Sequence, residues 1–306
     1  MDLIEILRLS FMQRALIAAA LAGLASPAIG TYIVQRRLAL LGDGLGHVAI
    51  AGVGLALVTG TAPLPLAVAI CVAGAGLIEW LRQKGRATGD IGLAVLFYGG
   101  LAAGVLLASV AGAGTGGLQG YLFGSLATVS PTDLKMVVGL AAVVLVASIG
   151  WSRQLFAVCA DEDYAYSLGL PVRFYNFLIV VLAAVTVATA MRTVGLLLVS
   201  ALMVIPVATA QNLSRGFVAG LWGAMGLGLT VSVGGVVVSY YADLAPGATI
   251  VLLAIALFIV SWPVTALAHR HRPRRIDDLD PTPVPHSTAD AQARTARGVR
   301  TRLIRD

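Results

Sequence analysis

The sequence predicts an all-α protein that crosses a membrane many times. Its mean hydropathy is +0.90, and 58% of its 306 residues are hydrophobic whereas only 12% are charged. A soluble domain of this length would carry about twice that charged fraction. Apolar runs of about 20 residues, the length that a helix needs to cross a bilayer, recur along most of the chain. The runs are continuous rather than alternating, which is not the pattern of a transmembrane β-barrel.

Nine apolar segments are candidates for transmembrane helices. The short stretch at residues 191–195 leaves open whether two of them form one broken element, so we predict a helical bundle of eight or nine spans. The segments are residues 15–34, 38–59, 63–80, 91–111, 135–151, 175–191, 195–210, 217–240 and 246–266. The first is expected to remain as an uncleaved span, because acidic residues weaken the positive segment that a cleavable signal needs.

The basic residues predict the orientation of the bundle through the positive-inside rule. With the N-terminus outside, the larger set of Lys and Arg residues in the membrane body falls on the cytoplasmic side. That set is Arg36, Arg37, Arg82, Lys84, Arg86, Arg153, Arg173 and Arg215, against Arg8, Arg14, Lys135 and Arg192 outside. We therefore predict a multi-pass protein of the cytoplasmic (plasma) membrane with a cytoplasmic C-terminal tail.

The chain divides into a predicted transmembrane domain, residues 1–267, and a basic Pro- and Arg-rich tail, residues 268–306. The tail composition predicts disorder, and its arginines follow the last span, where they could contact anionic lipid headgroups. The net charge of +6 is largely a property of the tail and loops, so it gives no reason to expect a nucleic-acid partner. Cys71 and Cys159 lie far apart and indicate no disulfide framework.

Two interruptions of the membrane body carry structural signals. Residues 112–134 are too Gly-rich for a plain helix and too apolar for a solvated linker, so we expect them to fold onto the extracytoplasmic surface or to re-enter the membrane. Residues 152–176 are the longest polar interruption. Acidic residues there predict a helix start, whereas Gly169 and Pro171 predict its end. The expected element is a short cytoplasmic helix at residues 162–168.

Asp43 and His47 are the most informative residues of the chain. They lie in an otherwise apolar predicted span, where ionisable groups are costly and usually mark an ion or substrate path. Residues four apart share one face of a helix, so the carboxylate and the imidazole would point in the same direction. His47 would lie about 16 Å along the helix from Arg36, near the bilayer midplane.

The pair admits two interpretations. It could be a buried His–Asp hydrogen bond that stabilises helix packing, or it could be part of a metal path, which the surrounding small residues favour because they leave room. Imidazole nitrogen and carboxylate oxygen suit zinc, manganese or iron(II) rather than copper(I). Two ligands are too few for tight capture, which predicts a transit site or a site completed by a second subunit. His269 and His271 are two residues apart and do not share a helical face, so we expect no metal role for them.

Several segments carry a family resemblance. Residues 40–57, LLGDGLGHVAIAGVGLAL, resemble the Gly-Asp-x-x-x-His signature of the zinc-, manganese- and iron-uptake permeases of ABC transporters, the ZnuB/MntB-like family. YLFGSLATVSPTDL, the stretch from Arg192 to Arg215, and PGATIVLLAIALFIVS resemble it in the expected order. SLGLPVRFYN, with Ala165 before it, resembles the coupling helix with which importer permeases dock into their ATPase. The chain departs from the family at Gly46, where Ser or Ala commonly precedes the histidine.

The resemblance implies a permease subunit that forms a homodimer and works with a separate ABC ATPase and an extracytoplasmic metal-binding receptor protein. It implies that Asp43 and His47 are metal ligands on the translocation path. It also implies an ATPase-coupling segment at about residues 152–174. The coupling residues would be Asp161, Glu162, Asp163, Ala165, Leu168 and Gly169.

The expected function is the membrane permease of an ABC importer that moves a divalent metal ion, zinc, manganese or iron, into the cytoplasm. No permanently bound cofactor is expected, and the chain has no G-x-x-x-x-G-K-[ST] phosphate loop, so it is expected to be a transport permease rather than an ATPase. An alternative is a proton-coupled secondary metal transporter that uses Asp43 and His47 as a relay. A membrane metalloprotease is disfavoured, since the chain lacks H-E-x-x-H.

Overall fold

The computed structural model describes residues 10–84, 89–113, 116–124, 130–192, 194–214 and 216–270. Within these ranges the chain forms twelve helices and no strands. They are α1 Ser10–Gln35, α2 Leu41–Thr59, α3 Pro63–Gln83, α4 Gly89–Val110, α5 Gly116–Phe123, α6 Pro131–Gly150, α7 Ser152–Ala160, α8 Glu162–Ser167, α9 Val172–Ala190, α10 Leu196–Leu213, α11 Phe217–Ala242 and α12 Pro246–Arg270.

Eight of these helices are long and apolar enough to cross a membrane: α1, α2, α3, α4, α6, α9, α11 and α12. The apolar part of α10, Leu198–Leu213, is shorter. The prediction of a polytopic helical bundle with eight or nine spans is confirmed, with α10 accounting for the difference between the two numbers. Residues up to Thr265 form one compact unit. The predicted tail lies almost wholly outside the described residues, so its disorder stays a prediction.

Helix α1 runs through the core of the bundle and packs closely on α11. A Cβ atom on Gly23 would lie 2.5 Å from the carbonyl oxygen of Gly228, and one on Gly228 would lie 2.2 Å from that of Gly23. Any side chain at either position would therefore force the two backbones apart. Small residues at helix contacts are the usual means of close packing in membranes, where lipid is as apolar as the protein interior.

Ion pairs join residues at each end of the bundle. Arg36 at the end of α1 lies 2.7 Å from Glu162 of α8, and Arg192 after α9 lies 2.6 Å from Asp133 of α6. Arg192 also donates to the Tyr121 hydroxyl of α5 at 3.1 Å. Each pair connects two parts of the chain that the positive-inside rule assigns to the same side.

The Gly-rich segment at residues 112–134 contains a helix that the sequence did not predict. Helix α5 buries Leu118 and is followed by Gly124, whose φ is +75°. A Cβ on Gly195 would lie 2.4 Å from the carbonyl carbon of Phe123, so the end of α5 packs directly on the start of α10. This tertiary contact stabilises a short helix that its glycines would disfavour in isolation.

The polar connector holds the predicted short helix almost at its predicted bounds. Asp161 caps α8 by accepting hydrogen bonds from the backbone N–H groups of Asp163 and Tyr164, both at 3.0 Å. Gly169 follows the helix with φ +77°, the left-handed conformation expected at a helix C-terminus. Leu168 is the C-cap rather than a helical residue. Helix α7, with Leu155 buried, was not predicted.

Candidate metal-transit site

Asp43 lies in the first turn of α2, where the helix macrodipole favours a negative charge. One carboxylate oxygen, Oδ1, accepts a hydrogen bond from the hydroxyl of Ser200 on α10. The two helices approach closely at Gly42, where a Cβ atom would lie 3.2 Å from the Cβ of Ser200. Ser200, which lies 157 positions further along the chain, therefore fixes the orientation of the Asp43 carboxylate.

Asp43 borders a cavity of about 280 Å³ between α2 and α4. Apart from Asp43 the lining is apolar or aromatic, and it consists of Leu40, Leu93, Ala94, Phe97 and Tyr98. A single carboxylate in an otherwise apolar wall is the arrangement expected of a small ligand site, in which few polar groups determine what binds. The chemistry available there is binding of a cation or of a proton.

His47 lies one helical turn beyond Asp43 and is only 7% exposed. Its Nδ1 atom is buried and has no hydrogen-bond partner among the described residues. The imidazole ring meets the ring of Phe97 edge-on, with 4.0 Å between the ring centroids. Phe97 thus contacts His47 and lines the same cavity as Asp43, so this one aromatic side chain connects the two candidate ligands.

The candidate ligands of one chain are few. In the described part of the chain, no group of three or more His, Cys, Asp and Glu side chains is placed to hold a metal ion. The direct His–Asp hydrogen bond considered above is also not observed, since Asp43 pairs with Ser200 and the Nδ1 atom of His47 is unpaired. The side chain of His269 and all of His271 lie outside the described residues.

Two residues of the site were missed in the sequence. Ser200 carried a signal, because it is a hydroxyl residue inside the apolar run of α10, but nothing in the sequence says which helix it faces. Phe97 carried no signal, since an aromatic residue in an apolar segment is ordinary packing. Before His47, a Cβ atom on Gly46 would lie 2.9 Å from Cδ1 of Leu196, so a larger residue at this position would require the Leu196 side chain to shift.

The predicted coupling residues lie in or beside α8, at the Arg36 end of the bundle. Ala165 of α8 is fully buried against the body, whereas Tyr166 and Leu168 are 77% and 57% exposed. Beside them lies a groove of about 640 Å³, the connector groove. It is lined by Gln83, Glu162, Asp163, Tyr166, Leu170, Pro171, Val172, Arg173 and Asn176.

Comparison with known proteins identifies the family. The chain is 34% identical over 259 residues to the manganese transport system membrane protein MntC of Halalkalibacterium halodurans, which covers 84% of this chain and 88% of the relative. It is 29% identical over 252 residues to the manganese import system permease protein ScaB of Streptococcus gordonii, covering 82% and 90%.

A solved structure has the same fold. PsaBC from Streptococcus pneumoniae in complex with a Fab matches with a TM-score of 0.77 and 30% identity, over 85% of this chain and 94% of the matched one. The sequence profile of the ABC 3 transport family matches residues 8–265, which is nearly all of the described chain. This protein therefore belongs to the ABC 3 transport family.

Proposed function

We propose that this chain is the membrane permease of an ABC importer that moves a divalent transition-metal ion into the cytoplasm, with manganese as the first candidate. The observation that carries the proposal is the Asp43 carboxylate on the wall of a cavity, with the buried imidazole of His47 one turn away, whose Nδ1 atom has no hydrogen-bond partner among the described residues. Two of the relatives described above are named for manganese transport or import, which supports manganese ahead of zinc and iron.

The ligand chemistry supports transit rather than storage. Carboxylate and imidazole suit manganese, iron(II) and zinc, but the described part of one chain brings together two candidate ligands and no group of three. A second copy of the chain would supply another Asp43 and another His47, giving two nitrogen and two oxygen ligands around a shared axis. We therefore propose a homodimer with the ion passing between the two subunits.

The energy for transport would come from a separate ATPase. The sequence contains no phosphate-binding loop of its own. Helix α8 and the connector groove offer exposed Tyr166 and Leu168 beside polar side chains, a mixture typical of protein interfaces. We propose that the ATPase docks there, on the cytoplasmic side, and that a metal-binding receptor delivers the ion at the opposite end of the bundle.

Uptake by the purified complex in proteoliposomes tests this function. The complex would be isolated through a tag on this chain, supplied with its receptor, and assayed with radioactive manganese. We expect uptake that requires ATP and persists when the proton gradient is collapsed. Uptake that follows the proton gradient and ignores ATP would instead support the relay alternative. Competition by zinc and iron(II) at equal concentration would rank the three metals.

A further inference from the structure

The connection between the coupling helix and the candidate metal site passes through one buried arginine. The Arg36 guanidinium donates to Oε1 of Glu162, the first residue of α8, at 2.7 Å. The same carboxylate oxygen accepts a hydrogen bond from the side chain of Asn176 on α9 at 3.1 Å. One acceptor on α8 therefore joins the ends of two membrane helices.

The environment of Arg36 makes this contact more than a surface ion pair. Its side chain is only 6% exposed, although that of Glu162 is 51% exposed. Burial lowers the pKa of the Arg36 guanidinium and neighbouring Arg82 lowers it further, whereas Glu162 raises it. The Nη1 atom is buried without a hydrogen-bond partner in the described structure. Loss of Glu162 would remove the carboxylate that pairs directly with this buried charge, which is costly because the charge is far from water.

The backbone beyond Arg36 is a hydrogen-bonded turn rather than a loose loop. The N–H of Arg37 bonds to the carbonyl of Val34 at 3.0 Å, and that of Leu38 bonds to the carbonyl of Ile33 at 3.0 Å. With Arg37 at φ +58°, this is the Schellman arrangement that ends helices. The N–H of Leu41 then bonds to the carbonyl of Leu38 at 2.9 Å, which connects the turn to the start of α2.

Asp43 lies in the first turn of α2, seven residues after Arg36. If α8 moves and carries Glu162 with it, the ion pair would displace the buried guanidinium of Arg36. The hydrogen-bonded turn that follows Arg36 would then transmit this displacement to the start of α2. Coupling between distant sites can be carried by a chain of packed side chains, hydrogen bonds and ion pairs. The contacts described here form an unbroken path from the connector groove to the candidate ion ligand.

We propose that Arg36, held by the Glu162 carboxylate that also accepts a hydrogen bond from Asn176, is the positioning residue that transmits movement of the coupling helix to Asp43. This inference rests on the proposed function, because it assigns the ATPase to the connector groove and the ion to Asp43. It adds a specific role for the Arg36–Glu162 contact: the contact determines how much ion moves for each ATP hydrolysed.

The test measures ATP hydrolysis and manganese uptake together in proteoliposomes that contain the whole complex. Glu162→Gln removes the charge and Glu162→Ala removes the acceptor. Arg37→Gln is the matched control, because it removes an exposed charge from the next position of the same turn. We expect the Glu162 variants to lower uptake per ATP by about twofold to thirtyfold and the control to leave it unchanged. A merely structural defect would lower the amount of assembled complex. Uptake and hydrolysis would then fall in equal proportion, and uptake per ATP would stay unchanged.

A double-mutant cycle with Arg36→Gln gives a second measurement. If the two residues act as a unit, the combined Arg36→Gln and Glu162→Ala variant will couple no worse than the more impaired single variant. Unchanged uptake per ATP in both Glu162 variants, or losses that multiply in the double variant, would overturn the inference. Failure of the unmodified complex to take up manganese with ATP would overturn the proposed function instead, so the two failures are distinguishable.

Discussion

The Ser200 hydroxyl donates a hydrogen bond to Oδ1 of Asp43, across a separation of 157 positions in the chain. The bond ties α10 to the first turn of α2 and holds one carboxylate oxygen in place, on a side chain that also borders the cavity. Removing a group that orients a metal ligand in this way typically costs about tenfold to a hundredfold in metal affinity or activity. Ser200 is therefore part of the candidate site, although it is not proposed to touch the ion.

Ser200→Ala is expected to raise the manganese concentration needed for half-maximal uptake by about tenfold to a hundredfold. The reason is that the Asp43 carboxylate would lose its fixed orientation. Ser200→Thr keeps the hydroxyl and is the matched control. Uptake measured over a range of manganese concentrations checks this, and a concentration dependence of Ser200→Ala that matches the unmodified protein would contradict the positioning role.

His47→Ala is expected to abolish metal uptake while the protein still inserts in the membrane. The substitution removes an imidazole whose buried Nδ1 atom has no hydrogen-bond partner in the part of the chain that the structure describes, so no such bond is broken there. It also removes one of the two candidate ligands, Asp43 and His47. His269→Ala is the control, because no metal role is predicted for that histidine. Uptake should be normalised to the amount of complex in the membrane, and normal uptake by His47→Ala would contradict the assignment.

Phe97→Ala is expected to open His47 to the cavity. The Phe97 ring contacts the imidazole at 4.0 Å between centroids and lines the cavity that Asp43 borders. Removing the ring should increase the rate at which a histidine-directed reagent modifies His47, read by mass spectrometry. Tyr98→Ala, which alters the same cavity, is the control. Equal modification rates in both variants would show that Phe97 does not cover the imidazole.

The fold class and the coupling helix could be predicted because their signals are local. A run of about 20 apolar residues is sufficient to indicate a span, and acidic residues followed by Gly169 and Pro171 are sufficient to indicate a short capped helix. Helices α5 and α7 were missed because short helices depend on tertiary packing, here through buried Leu118 and Leu155.

The candidate site could be predicted only in part. The spacing of Asp43 and His47 places both residues on one face of a helix, but their partners come from other helices. Ser200 contacts Asp43, and Glu162 contacts Arg36 across 126 positions. No local pattern states which helices lie side by side in a bundle, since every apolar span can pack on several others. Contacts between helices therefore had to come from the structure.

Gly169→Val is expected to weaken coupling to the ATPase without affecting membrane insertion. Gly169 has φ +77°, a conformation that costs a residue with a Cβ atom roughly 1–2 kcal/mol, and more for a β-branched one. Space is not the obstacle, because a Cβ at this position would meet nothing within 4 Å. The strain should instead distort the end of α8. Two backbone hydrogen bonds stabilise this end, from the N–H of Gly169 to the carbonyl of Tyr166 and from the N–H of Leu170 to the carbonyl of Ala165.

Gly169→Asn is the matched control for this prediction, because asparagine tolerates the left-handed conformation better than other residues with a side chain. Co-purification of the ATPase and uptake per ATP would be measured for both variants. We expect Gly169→Val to lose ATPase binding or to lower uptake per ATP, and Gly169→Asn to retain most of both. A Gly169→Val complex that couples normally would show that the geometry of this helix end does not matter for docking.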